Sequence, residues 1–277
     1  FTLDPARCKD AVEALATRDS PKDEAFMIVA GALGSTGSPE AQAALRDAIT
    51  ALAGKRDHQD VLIAELGSLD NPDRATEAYA RDIVAHPSDS EVRNVAQLAL
   101  GNMARTLSAS EPDRSEALVS EALQQSNSAR TLDDRLASIY TLGNTGSSRA
   151  FAALHDAVGD PDFRVRMAAA AALRFVEGPD VEQQLLTLAA TDPEPSVRAE
   201  AAQALRERSV AATTFDALAE LVRREPSEAV RQTLVSVISA RAEQFPGAVG
   251  VLDWVAQHDP KQDVRRTAQL ALLRLRA

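Results

Sequence analysis

The sequence predicts an all-α protein, a right-handed α-α superhelix of eight stacked helical hairpins, on three observations. An acidic residue and a proline, followed by Val-Arg at the head of an Ala/Leu run, recur along the second half. They read Asp160-Pro161 with Val165-Arg166, Asp192-Pro193 with Val197-Arg198, Glu225-Pro226 with Val230-Arg231, and Asp259-Pro260 with Val264-Arg265, at steps of 32, 33 and 34 residues. Such a period suits a two-helix unit that buries its apolar face only against its neighbours. A second landmark, the apolar residue closing each second helix, falls at Leu33, Leu66, Leu100, Leu142, Leu173, Leu205, Ile238 and Leu272, dividing the 277 residues into eight units. Finally, β-branched strand runs are missing, only 4% of residues are aromatic, and Ala is the commonest filler.

The elements follow in order. Asp4-Pro5 suits an N-cap and a first-turn proline, opening the first helix. The first, second and fourth units lack Val-Arg and are placed by spacing. Leu33-Gly34-Ser35-Thr36-Gly37 and Leu142-Gly143-Asn144-Thr145-Gly146, with partial copies at Leu66-Gly67 and Leu100-Gly101-Asn102, read as helix stops. The third unit carries His86-Pro87 and Val92-Arg93, with His in place of the acid. One long step, 42 residues from Leu100 to Leu142, spans a polar stretch with Pro112 and predicts an inserted loop or a lengthened helix at about 105–114. Val197, Ala201, Ala204 and Leu205 share one helical face, where Ala lets two axes approach closely. The acid before each proline suits an N-cap of the second helix. An Arg six residues later can link repeats through charge-assisted hydrogen bonds.

This pattern resembles the HEAT repeat, an armadillo-type α-solenoid, over the whole chain. The resemblance implies a structural ladder of Arg93, Arg166, Arg198, Arg231 and Arg265 with Asp160, Asp192, Glu225 and Asp259, rather than an anion-binding row. It also implies a non-enzymatic scaffold that binds a protein or peptide. The Leu-Gly-Asn-x-Gly element is also similar to one in the helical domain of vitellogenin-like lipid-transfer proteins, which makes a lipid carrier the alternative. That family's lipid-binding sheets are absent from this chain.

Charge bears on the partner. The formal net charge is −11; residues 1–138 hold 14 Lys+Arg against 23 Asp+Glu, and residues 139–277 hold 16 against 18. Duplex nucleic acid demands a basic face, so this balance argues against it. No apolar run reaches the ~18 to 20 residues needed to span a bilayer, which predicts a soluble segment. Phe1 is no initiator Met, and the chain is expected to be part of something longer, with its compartment open. Cys8, alone, is expected to pack with Val12 and Leu15.

Chemistry has little to work with. His58, His86, His155 and His258 stand in different units, and none forms a His-Glu dyad like that of the di-iron hydroxylases sharing this architecture. No zinc spacing, P-loop, dinucleotide fingerprint or nucleophile elbow occurs, so no cofactor, metal or catalytic residue is assigned. A HEAT-like lyase or other enzyme stays as a third reading. What remains is the inner surface, where solenoids bind. Positions pointing away from the buried face place Leu98, Leu136, Tyr140 and Met167 in units three to five, an apolar group where polar residues are expected and a candidate partner site. The last helix holds Leu270, Leu272, Leu273 and Leu275, more than one apolar face needs, and is expected to be covered by further chain or by a partner.

Overall fold

The computed structural model describes residues 4–17 and 20–276. Among them are sixteen α-helices, one short 3-10 turn and no strand. They pair as α1 (Pro5–Leu15) with α2 (Glu24–Thr36), α3 (Pro39–Ala51) with α4 (Arg56–Leu66), α5 (Arg74–Ala85) with α6 (Ser90–Leu107), and α7 (Pro112–Ser128) with α8 (Leu132–Asn144). The series continues as α9 (Phe151–Ala157) with α10 (Phe163–Leu173), α11 (Val181–Thr191) with α12 (Pro195–Arg206), α13 (Ala212–Arg224) with α14 (Glu228–Ala240), and α15 (Ala248–His258) with α16 (Gln262–Arg276). Eight hairpins make the protein an α-solenoid. Where the sequence leads us to expect one domain, the chain divides into two compact units, residues 1–150 and 151–277.

In the first unit, Asp4 caps α1 through the Ala6 and Arg7 amides, with Pro5 at the first helical position. Asp23 does the same for α2, accepting from Ala25 and Phe26. The core runs through both helices of each hairpin and is built from Phe26, Leu33, Leu45, Ile49, Leu62 and Leu66, all fully buried, then Met103 and Leu107. Cys8 is partly buried against it.

Leu66-Gly67 ends α4 as the sequence suggests, but the other Leu-Gly pairs do not stop their helices. Helix α2 runs past Gly34 to Thr36 and is closed by Gly37 in the left-handed region (φ 63°). Gly101 lies inside α6 and Gly143 inside α8, while Gly67 follows α4 with right-handed φ. Gly67 and Gly101 mark close approaches between second helices. A Cβ on Gly67 would stand 2.9 Å from the Ala99 Cα, and one on Gly101 2.6 Å from the Thr141 carbonyl oxygen, both backbone atoms of the next second helix. The long step is taken up as helix length: α6 has 18 residues and α7 has 17, leaving 108–111 between them instead of an inserted loop.

First helices of this unit are joined by polar groups. The buried Arg114 of α7 donates from Nε (2.8 Å) and Nη2 (2.6 Å) to Glu77 Oε2 of α5, and from Nη2 to the Pro72 carbonyl (2.9 Å). Arg81 reaches the same Glu77 and, at 2.9 Å, Glu121 of α7. The amide of Gln42 on α3 donates to the Asn71 carbonyl (2.9 Å) and accepts from the Asp73 N–H and the Thr76 hydroxyl.

In the second unit the stacking residue is Ala. Ala168, Ala169, Ala172, Ala201, Ala202 and Ala204 are all buried along α10 and α12. Arg166 takes Asp192 of the next hairpin in a two-point grip, Nε to Oδ2 at 2.8 Å and Nη2 to Oδ1 at 3.0 Å. Arg198 grips Glu225 at 2.9 and 2.6 Å, and Arg231 grips Asp259 at 2.7 and 3.0 Å. The remaining nitrogen of each ties down its own turn, at the carbonyls of Asp160, Asp192 and Glu225, and Arg265 donates likewise to the Asp259 carbonyl. In the first unit Arg93 pairs with Asp134, in the first turn of α8.

These acids do not cap the second helices. Asp192, Glu225 and Asp259 close the preceding first helices with extended ψ, and after Asp160, Asp192 and Glu225 the N-cap positions fall two residues later, at Asp162, Glu194 and Ser227. The prolines 161, 193, 226 and 260 therefore sit in the turn before the helix. The carboxylate is turned toward the previous repeat's guanidinium, a stronger partner than a lone backbone N–H.

A second arginine row lies at the other end of the same helices. Arg208 donates to the carbonyls of Leu173 (3.0 Å), Arg174 (2.9 Å) and Val176 (2.7 Å), closing the C-terminus of α10. Arg241 does this for α12 at Leu205 (3.2 Å) and Arg206 (2.7 Å). Such carbonyls lack intrahelical partners, and a cation suits the negative end of the helix.

Two stability predictions follow. Arg198→Ala leaves Glu225 buried without its cation and should cost about 3 to 5 kcal/mol; Arg198→Lys should recover little of it, because an ammonium cannot grip two oxygens at once. Urea melts of the three proteins check this, and an unchanged midpoint for Arg198→Ala would refute it. Gly101→Ala should lose about 1 to 3 kcal/mol by overpacking although Ala favours helices, whereas Gly31→Ala, with no atom within 4 Å of the added carbon, should gain up to about 1 kcal/mol.

Candidate functional site

Beyond the first hairpin, where α1 lies close against α3, second helices pack on one another more closely than first helices do, so their free side forms the inner face. In the first unit this face holds a cavity of about 330 Å³ between α4, α6 and α8, lined by Arg56, Ser90, Glu91, Asn94, Asp133, Leu136 and Ala137. Leu136 and Tyr140 stand one turn apart on α8; Leu136 is half-buried and Tyr140 is 39% exposed. Leu98 lies half-buried on the neighbouring α6. Met167, the fourth residue of the apolar group, is half-buried on α10 in the second unit. The structure thus gathers three of the four candidates on one stack.

The surroundings of that stack are acidic and incompletely bonded. Arg56 bridges Asp89 (3.3 Å) and Glu91. Two buried oxygens, Asp60 Oδ1 and Asn94 Oδ1, have no hydrogen-bond donor. Burial raises the Asp60 pKa above its ordinary value, and repulsion from Glu91 adds to the shift. Asn94 stands at an inward-facing offset of α6, whereas Glu91 and Asp133 fall in the first turns of their helices, where an acid is accounted for by the helix dipole. Only the packing of α4, α6 and α8 brings Glu91, Asn94 and Asp133 into one depression.

The histidines are each held separately. His58 is buried edge-on against Phe26, with ring centroids 4.8 Å apart. His86 pairs with Asp82, His155 with Gln184 and His258 with the Trp254 carbonyl. Among the described residues no three of His, Cys, Asp and Glu gather to hold a metal ion. No helix there is long and apolar enough to cross a membrane.

In both units the arrangement is that of an α-solenoid with a built inner face. HEAT repeats match over residues 115–206 and 182–273, more than half of the chain. The chain belongs to the HEAT-repeat family. Comparison with curated protein sequences finds no match. Among solved structures it is similar to the YibA protein of Escherichia coli (15% identity, 98% of this chain and 95% of that one, TM-score 0.51). It is also similar to the CpcE–CpcF complex of phycocyanin lyase from Nostoc (18%, 99% and 96%, 0.48) and to human deoxyhypusine hydroxylase (18%, 97% and 96%, 0.40). At these identities the likeness is one of fold.

Each unit holds carboxylates that respond to pH with opposite sign. Burial opposes ionisation of Glu77 and Asp192, but hydrogen bonds outweigh it, from Arg114 and Arg81 to Glu77 and from Arg166 and the Glu194 N–H to Asp192, so both pKa values lie below ordinary. Their stabilisation is present above the unfolded range of ~4 and is lost as pH falls through the lower folded values. Glu65 and Glu200 are raised by burial, so their ionised forms weaken the fold at neutral pH. Glu65→Gln should therefore melt higher than wild type at pH 7 and alike below about pH 4. Asp192→Asn should melt lower at pH 7, with the difference closing in acid. Thermal melts from pH 3 to 7 check both signs.

Proposed function

We propose that the chain is a non-enzymatic HEAT-repeat scaffold that holds a protein or peptide on the inner face of its first unit. The observation that carries this reading is the cavity between α4, α6 and α8, where Leu136 and Ala137 meet the hydrogen-bond acceptors of Glu91, Asn94 and Asp133. A polypeptide segment supplies what such a place requires: an apolar side chain to cover Leu136 and Tyr140, and N–H groups for the acceptors that line it. Leu98 widens the apolar contact on the α6 side. Met167 extends the same inner-facing positions in the second unit. Arg93, Arg166, Arg198 and Arg231 are engaged with carboxylates of the fold and Arg265 with a backbone carbonyl, which favours a structural role for them over recruitment of anions.

Affinity capture from source lysate with wild type beside Leu136→Glu/Tyr140→Glu tests the reading, once both show the same helical circular dichroism and melting temperature. A protein retained by wild type and lost by the double variant is the expected result. Identical captures from the two would remove the site. Arg198→Ala, assayed well below its lowered midpoint, should retain the partner.

A further inference from the structure

The second unit has its own cavity, of about 300 Å³, on the inner face of α12, α14 and α16. Its apolar part is Val235, Ala240, Leu270 and Ala271; Ser236, Ser239 and Thr267 add hydroxyls, and Arg206 and Arg274 stand at its two sides. Arg206 and Arg274 are both exposed, and neither has a carboxylate partner among the described residues. Their neighbours are engaged otherwise: Arg198 and Arg231 with acids, Arg208 and Arg241 with helix-end carbonyls. Glu200 and Glu207 of α12 do not line the cavity. Leu270, 48% exposed, and Leu273, 62% exposed, continue the apolar surface along α16.

In a chain with 41 acidic residues and 30 basic ones, two unpaired guanidinium groups flanking an apolar hollow are selective for charge. We infer that this cavity is a second docking site, which takes an acidic peptide segment in which an aliphatic side chain is flanked by Asp or Glu. The aliphatic group fills the hollow against Val235 and Leu270. The flanking carboxylates take Arg206 and Arg274, each able to offer two parallel N–H donors to a carboxylate. The site is independent of the groove in the first unit, and neither proposal falls with the other.

The test is fluorescence anisotropy with a labelled peptide Gly-Ser-Asp-Glu-Leu-Glu-Asp-Ser-Gly and the full chain. Saturable binding is expected, weakening as salt is raised. Arg206→Glu and Arg274→Glu should each weaken it about tenfold or more, and Ser236→Trp should block it with no change of charge. Arg224→Glu, an equal change at an exposed position of α13 outside the cavity, should leave it intact. All of these variants alter exposed residues, and matching circular dichroism and melting temperature confirm the fold. The peptide with Ser in place of Leu should bind more weakly. Failure of the wild type to bind, an equal loss with Arg224→Glu, or indifference to the Leu→Ser exchange would overturn the inference. Tighter binding of an oligothymidine carrying the same charge would overturn it in favour of a nucleic acid.

Discussion

Close approach between successive second helices is the constraint on which the rest depends. A single hairpin has too little apolar surface to hold itself together, so each must bury one face on its neighbour. The approach is achieved with different residues in the two units. In the first, glycines at 67 and 101 let one backbone lie against the next, as the 2.9 and 2.6 Å distances of their missing Cβ atoms show. In the second, the buried alanines of α10 and α12 do this with one methyl group each. Apart from α1 and α3, first helices stay further apart, which leaves the opposite side of the second helices as the inner surface.

Polar groups then hold the stacking register. In the second unit an acid at the end of each first helix meets the arginine of the previous hairpin, and that arginine also holds the carbonyl of its own turn. One side chain thus sets both the turn and the distance to the neighbour. Asp192, Glu225 and Asp259 are between 4 and 7% exposed, so each carboxylate depends on its guanidinium. In the first unit the same task falls to Gln42, Arg114 and Glu77 in the first-helix layer, with Arg93 and Asp134 between α6 and α8.

Most basic side chains that the fold can recruit are thereby used up, and the inner faces take their character from those left over. Around Leu136 the leftover groups are acidic, with Arg56 already held by Asp89 and Glu91. Around Leu270 they are Arg206 and Arg274. Two faces of similar backbone therefore present opposite charge, which separates what each can bind.

Period and composition by themselves determined the all-α class, the eight hairpins and the ladder arginines, because one apolar stripe and one charged pair per repeat leave a mark at every turn of the pattern. They also placed Leu98, Leu136 and Tyr140 on the free side of their helices, since helical spacing alone decides that. Tertiary structure decided the rest. Whether a Leu-Gly pair ends its helix, as at Gly67, or lies within it, as at Gly101, is decided by the packing around it, and local sequence is alike in both cases. Whether Asp192 caps the helix ahead of it or reaches back to Arg166 depends on the distance to the previous hairpin. Likewise Arg208 and Arg241 become helix-end caps, and Arg206 with Arg274 the walls of a cavity, only when residues some thirty positions apart are stacked, because contacts between repeats are made in space and carry no signature in the residues that flank them.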